Sequence, residues 1–212
     1  MQFRLGSIPV RIQGYFFLMA ALLAASERDP ARMAVWVAVV LVSVLVHELG
    51  HALVGRAFGL APAIALHGMG GTTSFTPLAG RAGRPLGTLR NVLISIAGPF
   101  AGFALAAATL AAESQGLGAS SAVAQQVLKL FVYVNVYWGI FNLLPMYPLD
   151  GGNVLRHVAS RLSLRHGERA AHVISLLVAV ALALHGLANQ EWWRVYLGAL
   201  FGYYNVQALR RR

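Results

Sequence analysis

The run Val44-Leu45-Val46-His47-Glu48-Leu49-Gly50-His51-Ala52-Leu53-Val54 places three ionisable side chains inside an apolar stretch. A charge deep in a bilayer costs at least about 2.5 kcal/mol on insertion scales, so such a cluster marks function before it marks packing. The spacing is His-Glu-x-x-His. Residues i and i+4 share one helical face, with Cβ atoms roughly 5–6 Å apart, so both imidazoles can reach one zinc ion at about 2.0–2.1 Å. Glu48 is rotated about 100° from His47 and points beside the metal. There it can take a proton from a water that the metal activates, which is hydrolytic chemistry. The plainer reading is a pair of buried histidines satisfied by neighbouring helices.

A hydrolytic zinc takes three protein ligands and keeps a fourth position for water. The chain has no cysteine, which excludes thiolate metal sites, cysteine nucleophiles and disulfides and leaves nitrogen and oxygen donors. The soluble extensions of the motif are missing. Val54 stands three residues after His51, where a metzincin carries glycine, and no acidic residue occurs between Leu49 and Ala112. The other acids are Glu27, Asp29, Glu113, Asp150, Glu168 and Glu191.

Choosing among them requires the elements that carry them. Of 212 residues, 58% are hydrophobic and only 11% charged. A soluble domain carries about 25% charged residues, so this chain cannot cover a water-facing surface, and disorder is excluded for the same reason. Six apolar segments stand out, at about 14–25, 33–58, 91–112, 123–145, 170–188 and 192–208. The expected fold is an all-α polytopic membrane protein of about six transmembrane helices in a single domain. The first segment is short and needs a locally thinned bilayer or a longer helix.

The net charge of +10 would suggest nucleic acid in a soluble chain. The arginines argue otherwise. Their excess falls on alternate connections: Arg4 and Arg11; then Arg56, Arg81, Arg84 and Arg90; then Arg156, Arg161, Arg165 and Arg169; then the Arg210-Arg211-Arg212 tail. The positive-inside rule places these segments and both termini in the cytoplasm of a cell-membrane protein. Orientation and anionic headgroups account for the charge, with no nucleic-acid partner. Trp192, Trp193, Tyr203 and Tyr204 read as interfacial anchors. Glu113 and Glu191 then fall at the outer face. His47 and His51 lie roughly 8–14 Å inside from Arg56, at 1.5 Å per residue, and Asp150, just ahead of Arg156, lies at similar depth. Glu168 sits among loop arginines, where an ion pair explains it. On this argument Asp150 is the best candidate for the third ligand.

Two stretches break the helical pattern. In Asn142-Leu-Leu-Pro145-Met-Tyr-Pro148-Leu-Asp150-Gly151-Gly152, two prolines and two glycines stand where a membrane helix should still run. Broken backbone at that depth is tolerated where it lines protein or a wet cavity. Asn142 offers an amide for a developing oxyanion, for substrate backbone, or for an interhelical bond. Residues 62–77 read as a β-hairpin around Gly70-Gly71, and 7–13 as an edge strand with Pro9, giving a short membrane-associated hairpin or sheet. The stretch 79–87 reads as a basic linker.

The paired motifs, His47-Glu48-Leu49-Gly50-His51 with Asn142-x-x-Pro145-x-x-Pro148-Leu149-Asp150-Gly151-Gly152, resemble the site-2 protease family of intramembrane zinc metalloproteases. Ala97-Gly98-Pro99 and the segment 6–17 extend the likeness over nearly the whole chain. The resemblance implies one zinc per chain held by His47, His51 and Asp150, with Glu48 as catalytic base and Asn142 near the scissile bond. It also implies six helices with the site facing the cytoplasm. The substrate would be the transmembrane segment of another protein, locally unwound and captured by strand addition along the hairpin at Gly70 and Gly71. The chain has no room for the PDZ or CBS domain of many relatives, which leaves substrate selection to some other device, such as a regulatory membrane partner. The alternative of a different class is a non-proteolytic six-helix metal-binding protein, a carrier or an inactive scaffold. A carrier calls for a ladder of ligands, whereas His67, His157, His166, His172 and His185 are scattered without metal spacing.

Overall fold

A computed structural model describes residues 1–24, 27–78 and 86–211. These form four strands, β1 (Gln2–Leu5), β2 (Ile8–Ile12), β3 (Leu60–His67) and β4 (Gly70–Pro77), and seven helices: α1 (Gly14–Leu23), α2 (Pro30–Ala57), α3 (Thr88–Ser114), α4 (Ala122–Asn142), α5 (Asp150–Leu162), α6 (Gly167–Ala188) and α7 (Trp192–Arg210). The fold is mostly helical with one small sheet. Among the described residues, three helices, α2, α3 and α6, are long and apolar enough to cross a membrane. At 10 residues, α1 is about 15 Å long, half a hydrocarbon core. The end of the first expected segment at 25, most of the linker 79–87, and Arg212 lie outside the described residues.

Contacts divide the chain into two compact units, Met1–Pro85 with Ala97–Gly139, and Leu86–Ile96 with Ile140–Arg212. In the first, the sheet runs in the order β1-β2-β3-β4. β1 and β2 are antiparallel, β2 and β3 parallel, β3 and β4 antiparallel. A parallel pair needs a long crossover, and α1 and α2 supply it. The alternation Ile8, Val10, Ile12 and Leu60, Ile64, Leu66 puts apolar side chains on one buried face. That face packs with Phe16, Ala20, Val39, Val40, Val44 and Ala52 from α1 and α2. Trp36 fastens the two helices by donating its indole N–H to the Ala20 carbonyl at 3.1 Å.

The sheet is larger than the sequence suggested. The expected hairpin and edge strand are three of its four strands, and β1 completes it. The hairpin turn also falls earlier, at Gly68-Met69, with His67 paired to Gly70. Gly70 takes φ +114°, a conformation open to glycine without strain, and so starts β4 rather than forming the turn.

The second unit is built on α5, α6 and α7, around Met146, Ala179 and Phe201. The expected segment 123–145 stops at Asn142, where α4 ends. α5 was not expected as a helix. Its 13 residues mix Arg156, His157 and Arg161 with short apolar runs, and by composition they read as a basic connection.

Candidate metal and catalytic centre

α2 starts cleanly. Asp29 accepts from the Ala31 N–H at 2.9 Å and Pro30 opens the helix, where its missing N–H costs nothing. Five turns of apolar residues then carry His47, Glu48 and His51 inward. These three are 3%, 4% and 7% exposed, so the polar groups are withdrawn from solvent and must satisfy one another or a ligand.

The imidazoles converge. His47 Nε2 and His51 Nε2 are 3.1 Å apart, with the rings edge-on at 78°. Two nitrogens bound at about 2.0–2.1 Å to one tetrahedral ion lie about 3.3–3.4 Å apart. The pair therefore fits a shared metal with almost no adjustment. Gly98 of α3 makes the fit possible, because a Cβ there would run into His51 Nε2 and into His47 Nε2. One turn before His47, Ser43 accepts a 2.9 Å bond from the buried Asn135 amide of α4. This bond fixes the rotation of α2 against α4.

Glu48 faces β4. The Thr73 hydroxyl donates to Glu48 Oε2 at 2.7 Å. A Cβ at Gly71 would collide with the same carboxylate. One face of β4 thus closes around the group that the spacing had marked as a base.

In the second unit, Asp150 is the first residue of α5, half-buried, and Asn142 is the buried last residue of α4. The residues between them fold back over the start of α5. Any side chain at Gly151 or Gly152 would strike the backbone of residues 143–147. Partners from α6 and α7 pin this irregular segment. The Tyr147 N–H donates to Ser175 Oγ at 3.0 Å. The Asn205 amide donates to the Tyr147 carbonyl at 2.8 Å. Its oxygen pairs with His172 Nδ1 at 2.8 Å, so Nδ1 carries the proton. Asn205 and Ser175 are fully buried.

Three of the scattered histidines have side-chain partners. His67 pairs with Thr72, His172 with Asn205, and His185 with Arg194 and Asn189. Glu168 pairs with Arg156 at 3.6 Å on a half-exposed surface, as the arginine-rich surroundings suggested.

Peptidase family M50 matches residues 111–186, a stretch that contains the Asn142–Gly152 pattern. Rip3 of Mycobacterium tuberculosis is 35% identical over 180 residues, covering 75% of this chain and 43% of Rip3. Zinc metalloprotease MJ0392 of Methanocaldococcus jannaschii is 27% identical over 210 residues, covering 97% of this chain and 58% of that protein. The solved site-2 protease from Methanocaldococcus jannaschii shares the fold, with a TM-score of 0.66 at 23% identity over 99% of this chain and 94% of that one. The M50 match, the zinc metalloprotease relatives and the shared fold together support the site-2 protease family. The chain spans less than half of Rip3 and under two thirds of MJ0392.

The sequence motifs singled out the candidate reactive side chains but not the residues that surround them. Thr73, Ser43, Asn135, His172, Ser175 and Asn205 carry no motif. Their one common signal is a polar residue on a face otherwise apolar. Gly98 lay within the noted Ala97-Gly98-Pro99, but its closeness to two imidazoles was not visible there.

Proposed function

We propose that this chain is an intramembrane zinc metalloprotease that hydrolyses peptide bonds in or near transmembrane segments of other proteins. The observation that carries the reading is the pair of buried Nε2 atoms 3.1 Å apart on α2, with the Glu48 carboxylate held one residue on. His47, His51 and Asp150 are the proposed ligands of a single zinc ion. When bound, zinc polarises a carbonyl and lowers the pKa of water towards ~7. Glu48 accepts the proton from the attacking water and returns it to the departing amide nitrogen. Asn142 is placed by its motif to hold substrate backbone or the developing oxyanion.

A substrate helix hides its carbonyls in i to i−4 bonds and must unwind before cleavage. β4 ends the strand order, so its outer edge can pair with an unwound segment. Gly70 and Gly71 add no side chain of their own at the start of that strand, where Trp138 and Glu48 lie against them. The topology we propose is six membrane-crossing segments in one domain, both termini cytoplasmic, in the cell membrane, from the alternation of arginines. Partners are the bilayer and a membrane-protein substrate. A regulatory membrane protein is a further proposed partner.

The test is purified protein with a transmembrane reporter substrate. Glu48→Gln should retain metal and lose cleavage. Cleavage at the wild-type rate by Glu48→Gln would remove the assignment.

A further inference from the structure

β4 contributes more than an edge. Gly71, Thr73 and Phe75 lie on its inner face, and all three meet α2. The Thr73 hydroxyl is 2.7 Å from Glu48 Oε2 and 3.1 Å from the Glu48 backbone carbonyl. Thr72 and Ser74 point the other way and are exposed. The register that aims Thr73 inward is fixed by pairing with Ile64, whose side chain is buried, and a one-residue slip would turn the hydroxyl to the opposite face.

A glutamate on a helix has three rotatable bonds between its backbone and its carboxylate. Nothing in the His-Glu-x-x-His spacing chooses among its rotamers. A β-branched threonine is stiff at χ1 and therefore presents its hydroxyl from a defined place. A hydrogen bond to an ionised oxygen is among the stronger ones available. We infer that Thr73 is the positioning residue for the Glu48 carboxylate, with Gly71 leaving the space that the carboxylate occupies. This rests on Glu48 being the base. It makes β4 a two-sided element, holding the base on one face while its edge is available to substrate. General-base catalysis depends on hydrogen-bond reach to the transferred proton, and an error of about 1 Å can cost 10²-fold in rate.

The experiment compares the wild-type chain with Thr73→Val, Thr73→Ser, Gly71→Ala and Glu48→Gln in detergent. Metal content, kcat and KM on a transmembrane reporter are measured for each. The infrared carboxylate stretch of ¹³C-glutamate-labelled, metal-free protein is also recorded, the Glu48 band being assigned from Glu48→Gln. Thr73→Val should keep metal and KM, lose about tenfold or more in kcat, and shift the Glu48 band. Thr73→Ser, which keeps the hydroxyl but not the β-branch, should recover a large part of both. Gly71→Ala, with the hydroxyl intact but the carboxylate displaced, should lower kcat with metal retained. Wild-type kcat in both Thr73→Val and Gly71→Ala, or Thr73→Ser as slow as Thr73→Val, overturns the positioning role and leaves the protease reading intact. Cleavage by Glu48→Gln at the wild-type rate overturns both.

Discussion

The side-chain amide of Asn205 donates to the backbone carbonyl of Tyr147 at 2.8 Å, tying α7 to the irregular segment three residues ahead of Asp150. Backbone without helix or sheet must find partners one by one, and here they are buried side chains. Asn205→Leu keeps the bulk and removes both the donor to Tyr147 and the acceptor for His172. Leaving buried polar groups unsatisfied costs about 1–3 kcal/mol each. The expected result is a lower unfolding midpoint in detergent together with weaker zinc retention, because the start of α5 loses its anchor. Unchanged metal content in a destabilised Asn205→Leu protein would separate this network from the site.

Gly98 offers a sharper steric test. A Cβ there would meet the metal-facing nitrogens of both histidines, whereas at Gly102, one turn on, it would lie 3.4 Å from the nearest atom, Asn135 Oδ1. Gly98→Val should lose bound zinc and all cleavage, and Gly102→Ala should keep both. Stoichiometric zinc in purified Gly98→Val would show that the imidazoles can bind the metal elsewhere.

The ligand set is tested by metal analysis alone. His47→Ala, His51→Ala and Asp150→Ala should each lower zinc content far below one per chain, and a chelator should abolish wild-type cleavage until zinc is restored. Retention of a full equivalent by Asp150→Ala would send the search for a third ligand elsewhere.

His157 on α5 gives a pH dependence of known sign. Burial holds its imidazole below the ordinary 6.5, the adjacent Arg156 acts in the same direction, and Glu168 opposes them. The unfolded chain then binds more protons than the folded one between the two values, so stability rises with pH across that range. The contribution is complete above about pH 6.5 and is lost as pH falls through the folded-state value. His157→Gln should flatten this slope in unfolding measurements between about pH 5 and 7. An unaltered slope would assign the acid sensitivity to other groups.

The helices that carry the candidate site residues were legible because their signals are local. An apolar run of membrane length, a His-Glu-x-x-His repeat with the pitch of one helical turn, and a proline–glycine break each need only near neighbours to be read. α2, α3 and α6 follow the expected segments to within a few residues. α5 was hidden because a basic loop and a short amphipathic helix have the same composition. β1 was hidden because Gln2–Leu5 has too few residues to alternate convincingly.

What the sequence determined by itself is which groups can react. Two imidazoles four residues apart and a carboxylate between them are set by helical pitch, whatever surrounds them. What only the tertiary structure decided is how they are held. Thr73 reaches Glu48 across 25 residues, Asn135 reaches Ser43 across 92, and Gly98 meets His51 from another helix. Such contacts depend on strand register and helix rotation, which are fixed by burial of the whole apolar face and leave no local pattern to read.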